Sequence, residues 1–235
     1  MIQHPVVPQA DWLAARKALL EREKAFLRER DALSAARRAL PWVRVEKRYV
    51  FEGPAGQETL AALFEGRHQL IVQHFMFDPN WEAGCKSCSF WADGYDGAVQ
   101  HLRQRDVTFV AVSTAPLAKL EAFRRRMGWH FKWVSAAGSD FSRDFYVTYT
   151  PEELAAGPVD YNYAPRKISI TEMPGTSVFY RDDDDTVYHT YSCYARGLDM
   201  MNVAYQYLDL VPKGRDEDGL PFPMTWVRLH DQYTS

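Results

Sequence analysis

The sequence predicts an α/β fold: a central mixed sheet flanked by helices, with a long N-terminal helix and an insert before the second half. Three observations predict it. Two continuous apolar runs, Leu70–Phe77 and Val107–Val112, have the length and composition of strands buried on both faces. Between them, Ser89–Gln104 carries apolar residues at helical spacing, so the three pieces form a strand–helix–strand unit with a right-handed crossover. The second half then offers two shorter strand-like runs around an acidic turn, and a closing helix.

Element by element, Met1–Ala10 has no apolar core of the kind a signal peptide needs. Asp11–Leu40 is rich in Ala, Leu, Arg and Glu and reads as one helix, ended by Pro41. Trp12, Leu19, Phe26, Leu33 and Leu40 recur at heptad spacing, with Leu13, Leu20 and Leu27 beside them. Ala15, Arg22, Glu29 and Ala36 interrupt the second seam position, so the apolar face is narrow. Such a face docks on its own domain or on a second copy, which makes a homodimer through this helix an expectation. The acidic residues Asp11, Glu21, Glu23, Glu29 and Asp31 argue against a nucleic-acid or membrane helix.

Val43–Phe51 is expected to be a strand, turned by Gly53-Pro54-Ala55-Gly56. Thr59–Glu65 is a short helical patch closed by Gly66, before the buried strand 70–77. Pro116 starts a helix over Leu117–Met127, stopped by Gly128. His130–Val134 and Phe145–Tyr149 read as extended, and residues 150–172 as an excursion whose Tyr161 and Tyr163 pack over the domain. Strand Ser177–Tyr180, the solvated acidic tip Asp182–Asp185, strand Val187–Thr190 and helix Asp199–Leu208 follow. The tail holds Pro212, Pro221 and Pro223 before Trp226-Val227-Arg228-Leu229 and is expected to wrap back. The organisation is therefore an N-terminal extension 1–41, a domain 42–210 with an insert 135–172, and a packed tail 211–235.

Composition sets limits. The 235 residues are 46% hydrophobic and 14% aromatic, enough for a sizeable core. A formal charge of -3 argues against general nucleic-acid binding. No run approaches the roughly 18 apolar residues of a membrane span, so a cytosolic protein is expected. In that compartment thiols are kept reduced, and a close cysteine pair points to catalysis or metal rather than a structural staple. No Gly-rich phosphate loop or Gly-x-Ser-x-Gly element occurs, and no cofactor is expected.

The chemistry-bearing motif is Cys85-Lys86-Ser87-Cys88, placed between the first buried strand and the helix that follows it. Thiolates are stabilised by the unpaired N–H groups of a helix start, and cysteines one turn apart can close a disulfide. The same pair would also suit half of a zinc site, with His74 and Cys193 as further ligands only if the fold gathers them, or two unrelated buried cysteines. His74, on the buried strand, reads as a satisfied core histidine.

Strand, loop, Cys-x-x-Cys and helix, followed by Pro174 just before strand 177–180, resembles the thioredoxin fold. Pro174 resembles the cis-proline that faces the cysteines in thioredoxins, which would set the Met173 backbone beside them. More closely, the chain resembles an uncharacterised bacterial thioredoxin-like family related to alkyl hydroperoxide reductases and peroxiredoxins. The resembling stretches include Thr59–Arg67, His74-Phe75-Met76-Phe77, Arg126-Met127-Gly128-Trp129, Pro174–Phe179 and Thr190–Gly197. Lys86-Ser87 stands where thioredoxins carry Gly-Pro.

The resemblance implies a thiol–disulfide oxidoreductase or peroxide reductase, acting on a protein disulfide or small peroxide with Cys85 and Cys88. On the peroxidase version Cys88 is the nucleophile. Its alternative is a binding module for a metal or a protein. The implied topology brings Cys193 and Arg196 near the Cys85 edge, where Cys193 could resolve or ligate and Arg196 could lower a thiol pKa. Lys86 is expected to act on Cys85 in the same way.

Overall fold

The computed structural model describes residues 4–234; the first three residues of the Met1–Ala10 stretch, and residue 235, lie outside the described residues. Helix α1 (Gln9–Arg38) precedes β1 (Val43–Arg44), β2 (Val50–Gly53), β3 (Gly56–Thr59) and β4 (Gln69–His74). Next come α2 (Lys86–Ala92), α3 (Tyr95–Arg103), β5 (Val107–Ser113), α4 (Leu117–Arg126) and β6 (Lys132–Ser135). The insert holds α5 (Phe141–Asp144), α6 (Pro151–Ala156), β7 (Val159–Tyr161) and β8 (Ala164–Arg166). The chain then forms β9 (Gly175–Arg181), β10 (Val187–Tyr194) and α7 (Val203–Leu208).

The main sheet runs β1-β10-β9-β4-β5-β6-β2-β3. β4 and β5 are parallel, joined through α2 and α3, and β9 and β10 add antiparallel on the other side of β4. That central order, with β4 and β5 flanked by a returning hairpin, is the thioredoxin-like fold. Side-chain alternation along the strands separates two cores. Phe75, Phe109, Ala111 and Trp133 face α2, α3, α4 and the tail. Leu70, Val72, Val110, Val112 and Val134 face Phe64, Phe141 and Phe145. Burying such side chains contributes about 1.5–3 kcal/mol each before entropy losses.

Several elements differ from expectation. The single strand 43–51 is two strands toward opposite ends of the sheet: β1 pairs with β10, whereas β2 pairs with β3 and β6. The helix expected over 89–104 breaks at Asp93-Gly94. Asp93 is used there as an acceptor for Trp129 Nε1 at 2.9 Å and for the His230 ring at 2.6 Å. The closing helix is a 3-10 turn over Ala195–Met201 followed by α7. Helix α1 has no buried residue, and Trp12, Leu19, Phe26 and Leu33 are exposed. Its C-terminal end meets the body where Arg37 lies 5.7 Å from the Tyr191 ring centre.

His74 is a core histidine, as expected, but only one of its two ring nitrogens is satisfied. Its Nε2 meets Ser177 Oγ at 2.8 Å, which meets Ser192 Oγ at 2.8 Å, which meets His189 Nε2 at 2.7 Å. Its Nδ1 has no partner among the described residues. Burial lowers its pKa to about 3, with repulsion from His189 adding to the effect.

Candidate active site

The loop after β4 places the cysteines. Phe75 N–H bonds Val112 and Phe77 O accepts from Ala115, so the chain stays beside β5 beyond the end of β4. It then turns back, and Cys85 N–H donates to Met76 O at 3.0 Å. Gly84 permits that return, because a Cβ there would lie 2.8 Å from the rings of both Phe75 and Phe123. Cys85 caps α2: its carbonyl accepts from Ser89 N–H at 2.9 Å and Ser89 Oγ at 3.0 Å.

Cys85 is half-buried, Cys88 is buried, and both are free thiols. Each thiol is the largest influence on the other's proton affinity, and the two are pushed apart. The Cys88 thiol, helped by the Ser87 and Cys88 N–H groups and the Ser87 hydroxyl, brings the Cys85 pKa down to about 6 against the effect of burial. The Cys85 thiol and burial push Cys88 well above its ordinary value.

Glu172 was silent in the sequence, where a lone acid before Met173-Pro174 carries no pattern. It is 4% exposed and accepts from Thr114 Oγ1 at 2.9 Å and Thr148 Oγ1 at 3.2 Å. Burial pushes its carboxyl up to about 7, and its charge in turn raises the Cys88 pKa.

Other expected site residues fall differently. Among the described residues no peptide bond is cis, so Pro174 is a trans proline. It still lines a cleft with Met76, Ser87 and Cys88. Tyr161 OH donates to Pro174 O at 2.8 Å and accepts from Ala195 N–H at 3.0 Å, so the insert locks this turn in place. The Met173 N–H is taken by Val147 O at 2.8 Å and is not open to a substrate chain. Lys86 reaches Thr225 O at 3.0 Å and is not among the main influences on the Cys85 pKa. Arg196 borders the cleft, but its side chain is 87% exposed and pairs with Asp199 at 3.1 Å, and it is not among the main influences on the Cys85 pKa. Cys193 packs in the same core cluster as Cys88, and burial raises its pKa. Among the described residues, no group of three or more His, Cys, Asp or Glu side chains is placed to hold a metal, so the fold does not gather His74 and Cys193 onto the pair.

The cleft beside Cys88 has a volume of about 870 Å³. Met76, Trp91, Leu198 and Tyr205 supply apolar surface, and Asp209, residues 213–218 and residues 222–224 complete the lining.

The chain belongs to the family described as "Bacterial protein of unknown function (DUF899)", whose model matches residues 1–233. No curated protein is similar to it in sequence. Among solved structures, it is similar to peroxiredoxin Q of Xanthomonas campestris, with 13% identity, a TM-score of 0.45, and 67% of this chain and 90% of that one covered. It is likewise similar to peroxidoxin BcpB of Mycobacterium tuberculosis, with 13% identity, a TM-score of 0.46, and 72% and 97% covered. The mitochondrial 2-Cys peroxiredoxin of Plasmodium falciparum matches with 10% identity, a TM-score of 0.42, and 72% and 92% covered. These likenesses are distant, and the fold assignment rests on the strand order of the sheet. Among the described residues, no helix is long and apolar enough to cross a membrane.

Proposed function

We propose that this member of the family is a thiol–disulfide oxidoreductase in which Cys85 is the nucleophile and Cys88 the resolving thiol. One observation carries the reading. Two unlinked cysteines stand one helical turn apart at the start of α2, and the Cys85 pKa is brought down to about 6 while that of buried Cys88 is pushed well up. The Cys85 thiolate attacks one sulfur of a disulfide, forming a mixed disulfide and releasing the other half as a thiolate. Cys88 then loses its proton and attacks the Cys85 sulfur. The Cys85–Cys88 disulfide forms and the second half leaves, so the substrate gains two electrons and the pair loses two. An external dithiol resets the pair by the reverse exchange.

A peroxidase that uses Cys88 as nucleophile is less well supported, because the Cys88 thiol is the harder of the two to ionise. Mild oxidation followed by mass spectrometry tests the assignment. A loss of two hydrogens confined to the peptide holding both cysteines is expected. A pair that stays reduced, or a disulfide to Cys193 instead, would remove the basis for the reading.

A further inference from the structure

Helix α1 and the turn after it carry apolar side chains on a face that the rest of the chain leaves bare. The rows at 12, 19, 26, 33 and 40 and at 13, 20 and 27 hold only Trp, Phe and Leu, each 37–67% exposed. Between the two rows runs a file of charge: Arg16, Glu23, Arg30 and Arg37. Leu33 and Leu40 stay 50% and 45% exposed although Arg37, between them, meets the Tyr191 ring. The body therefore leaves the face open at that end as well. Covering the rows would remove roughly 700 Å² of surface per copy, so about 1,400 Å² between two copies, inside the ~1,200–2,000 Å² of stable interfaces.

The charges on this face are self-complementary. Arg22-Glu23-Lys24 and Glu29-Arg30-Asp31, one heptad apart, are opposite in sign at every position. A second copy laid antiparallel, with the two-fold axis between Phe26 and Leu27, sets the first triplet of each copy beside the second triplet of the other. Arg22 then faces Glu29, Glu23 faces Arg30 and Lys24 faces Asp31, each twice. The same register brings Phe26 to Leu27, Leu20 to Leu33 and Leu13 to Leu40 of the second copy. Arg22, Glu29, Arg30 and Asp31 make no ion pair among the described residues, whose pairs on α1 are Arg16–Glu23 and Lys24–Glu21. Arg16 uses Glu23 Oε2 at 2.8 Å, which leaves Oε1 for Arg30 of the second copy. Arg16 also comes level with Arg37, but Glu23 neutralises the first and the Tyr191 ring takes the second. A parallel pair in register would instead set Arg16, Glu23 and Arg30 each against its own copy.

We propose that α1 is the interface with a second copy of this chain, the two helices lying antiparallel about a two-fold axis between Phe26 and Leu27. The two bodies sit at opposite ends of the helix pair. The interface is independent of the cysteine chemistry.

Sedimentation equilibrium of the full-length chain at low ionic strength, over a range of concentrations, tests it. A mass twice that of one chain is expected. Arg30→Glu disturbs no ion pair within the chain, yet it sets two carboxylates against each other at both crossings. It should raise the dimer dissociation constant roughly tenfold. Glu23→Arg, which sets two guanidinium groups together there, should do the same. The double variant carrying both changes restores each attraction and should recover the wild-type constant to within about threefold. Circular dichroism checks that every variant keeps its fold. A single-chain mass at every concentration would overturn the proposal and leave the face to a different partner. A dimer that neither single variant weakens would overturn it as well, as would a double variant no tighter than the single ones.

Discussion

Cys85 owes its acidity to groups on its own helix turn. The Cys88 thiol is the largest influence, followed among the favourable ones by main-chain N–H groups. Sequence adjacency suggested Lys86, and topology suggested Arg196, but each side chain has another partner. Iodoacetamide labelling across pH separates these accounts. Cys88→Ala should raise the Cys85 pKa and slow labelling at pH 6–7 several-fold, because a pKa rise of one unit leaves about a tenth of the thiolate below the pKa. Arg196→Ala should leave the profile in place; a comparable shift there would return the cation to the site. Gly84 sets the position of the same sulfur. Gly84→Ala would press a methyl onto the rings of Phe75 and Phe123, a strain of about 1–3 kcal/mol. Lower denaturation midpoints together with a labelling profile closer to free cysteine are expected. A variant indistinguishable from wild type would show that the loop has slack.

At the scale of elements, sequence was informative where a segment's partners are near in the chain. β4, β5 and α4 stand out because continuous apolar runs and helical spacing are local signals. The Cys-x-x-Cys pair at a helix start was legible for the same reason. Val43–Phe51 was not, because hydrogen-bond partners in β10 and β6 decide that one apolar stretch divides between the two ends of the sheet. The isomer of Pro174 was equally out of reach, because a lone X-Pro pair carries no local signal of it. Helix α1 was read correctly as a helix, yet its apolar row stays uncovered in the single chain. At about 1.5 Å per residue it is some 45 Å long, and its contact with the body includes Arg37 on Tyr191. Deleting residues 1–38 should therefore leave the body folded, with a Tm within a few degrees of the full chain, as followed by circular dichroism. A collapse of the cooperative transition would mean that α1 is part of the core. Sedimentation of both forms asks whether the row is covered by a second copy; one common monomeric mass would end the homodimer expectation.

For the molecule as a whole, two buried titratable groups, His74 and Glu172, oppose each other in pH. His74, in the Phe141–Phe145 core, has its pKa lowered from 6.5 to about 3, so between those values the unfolded chain binds more protons than the folded one. Its contribution is present above pH 6.5 and is lost as pH falls toward 3. Half-buried His189, with a lowered pKa, acts in the same direction. Glu172, near the cysteines, has its pKa raised from 4.5 to about 7, so there the folded chain binds more protons. Its contribution is present below pH 4.5 and is lost as pH rises toward 7. Between pH 4.5 and 6 the two slopes cancel in part, with Cys85 beginning to titrate at the top of the window. Each is at most about 1.4 kcal/mol per pH unit. Urea denaturation of two variants against wild type should pull them apart. Glu172→Gln should gain stability relative to wild type as pH rises through this window, because the penalty of ionising a buried carboxyl is gone. His74→Gln should move the other way, losing relative stability as pH rises, because wild type alone regains the neutral imidazole. Variant and wild-type curves that run parallel would mean that neither group titrates differently in the fold. Reversed directions would mean that the buried histidine is protonated and the buried carboxyl ionised in the folded protein.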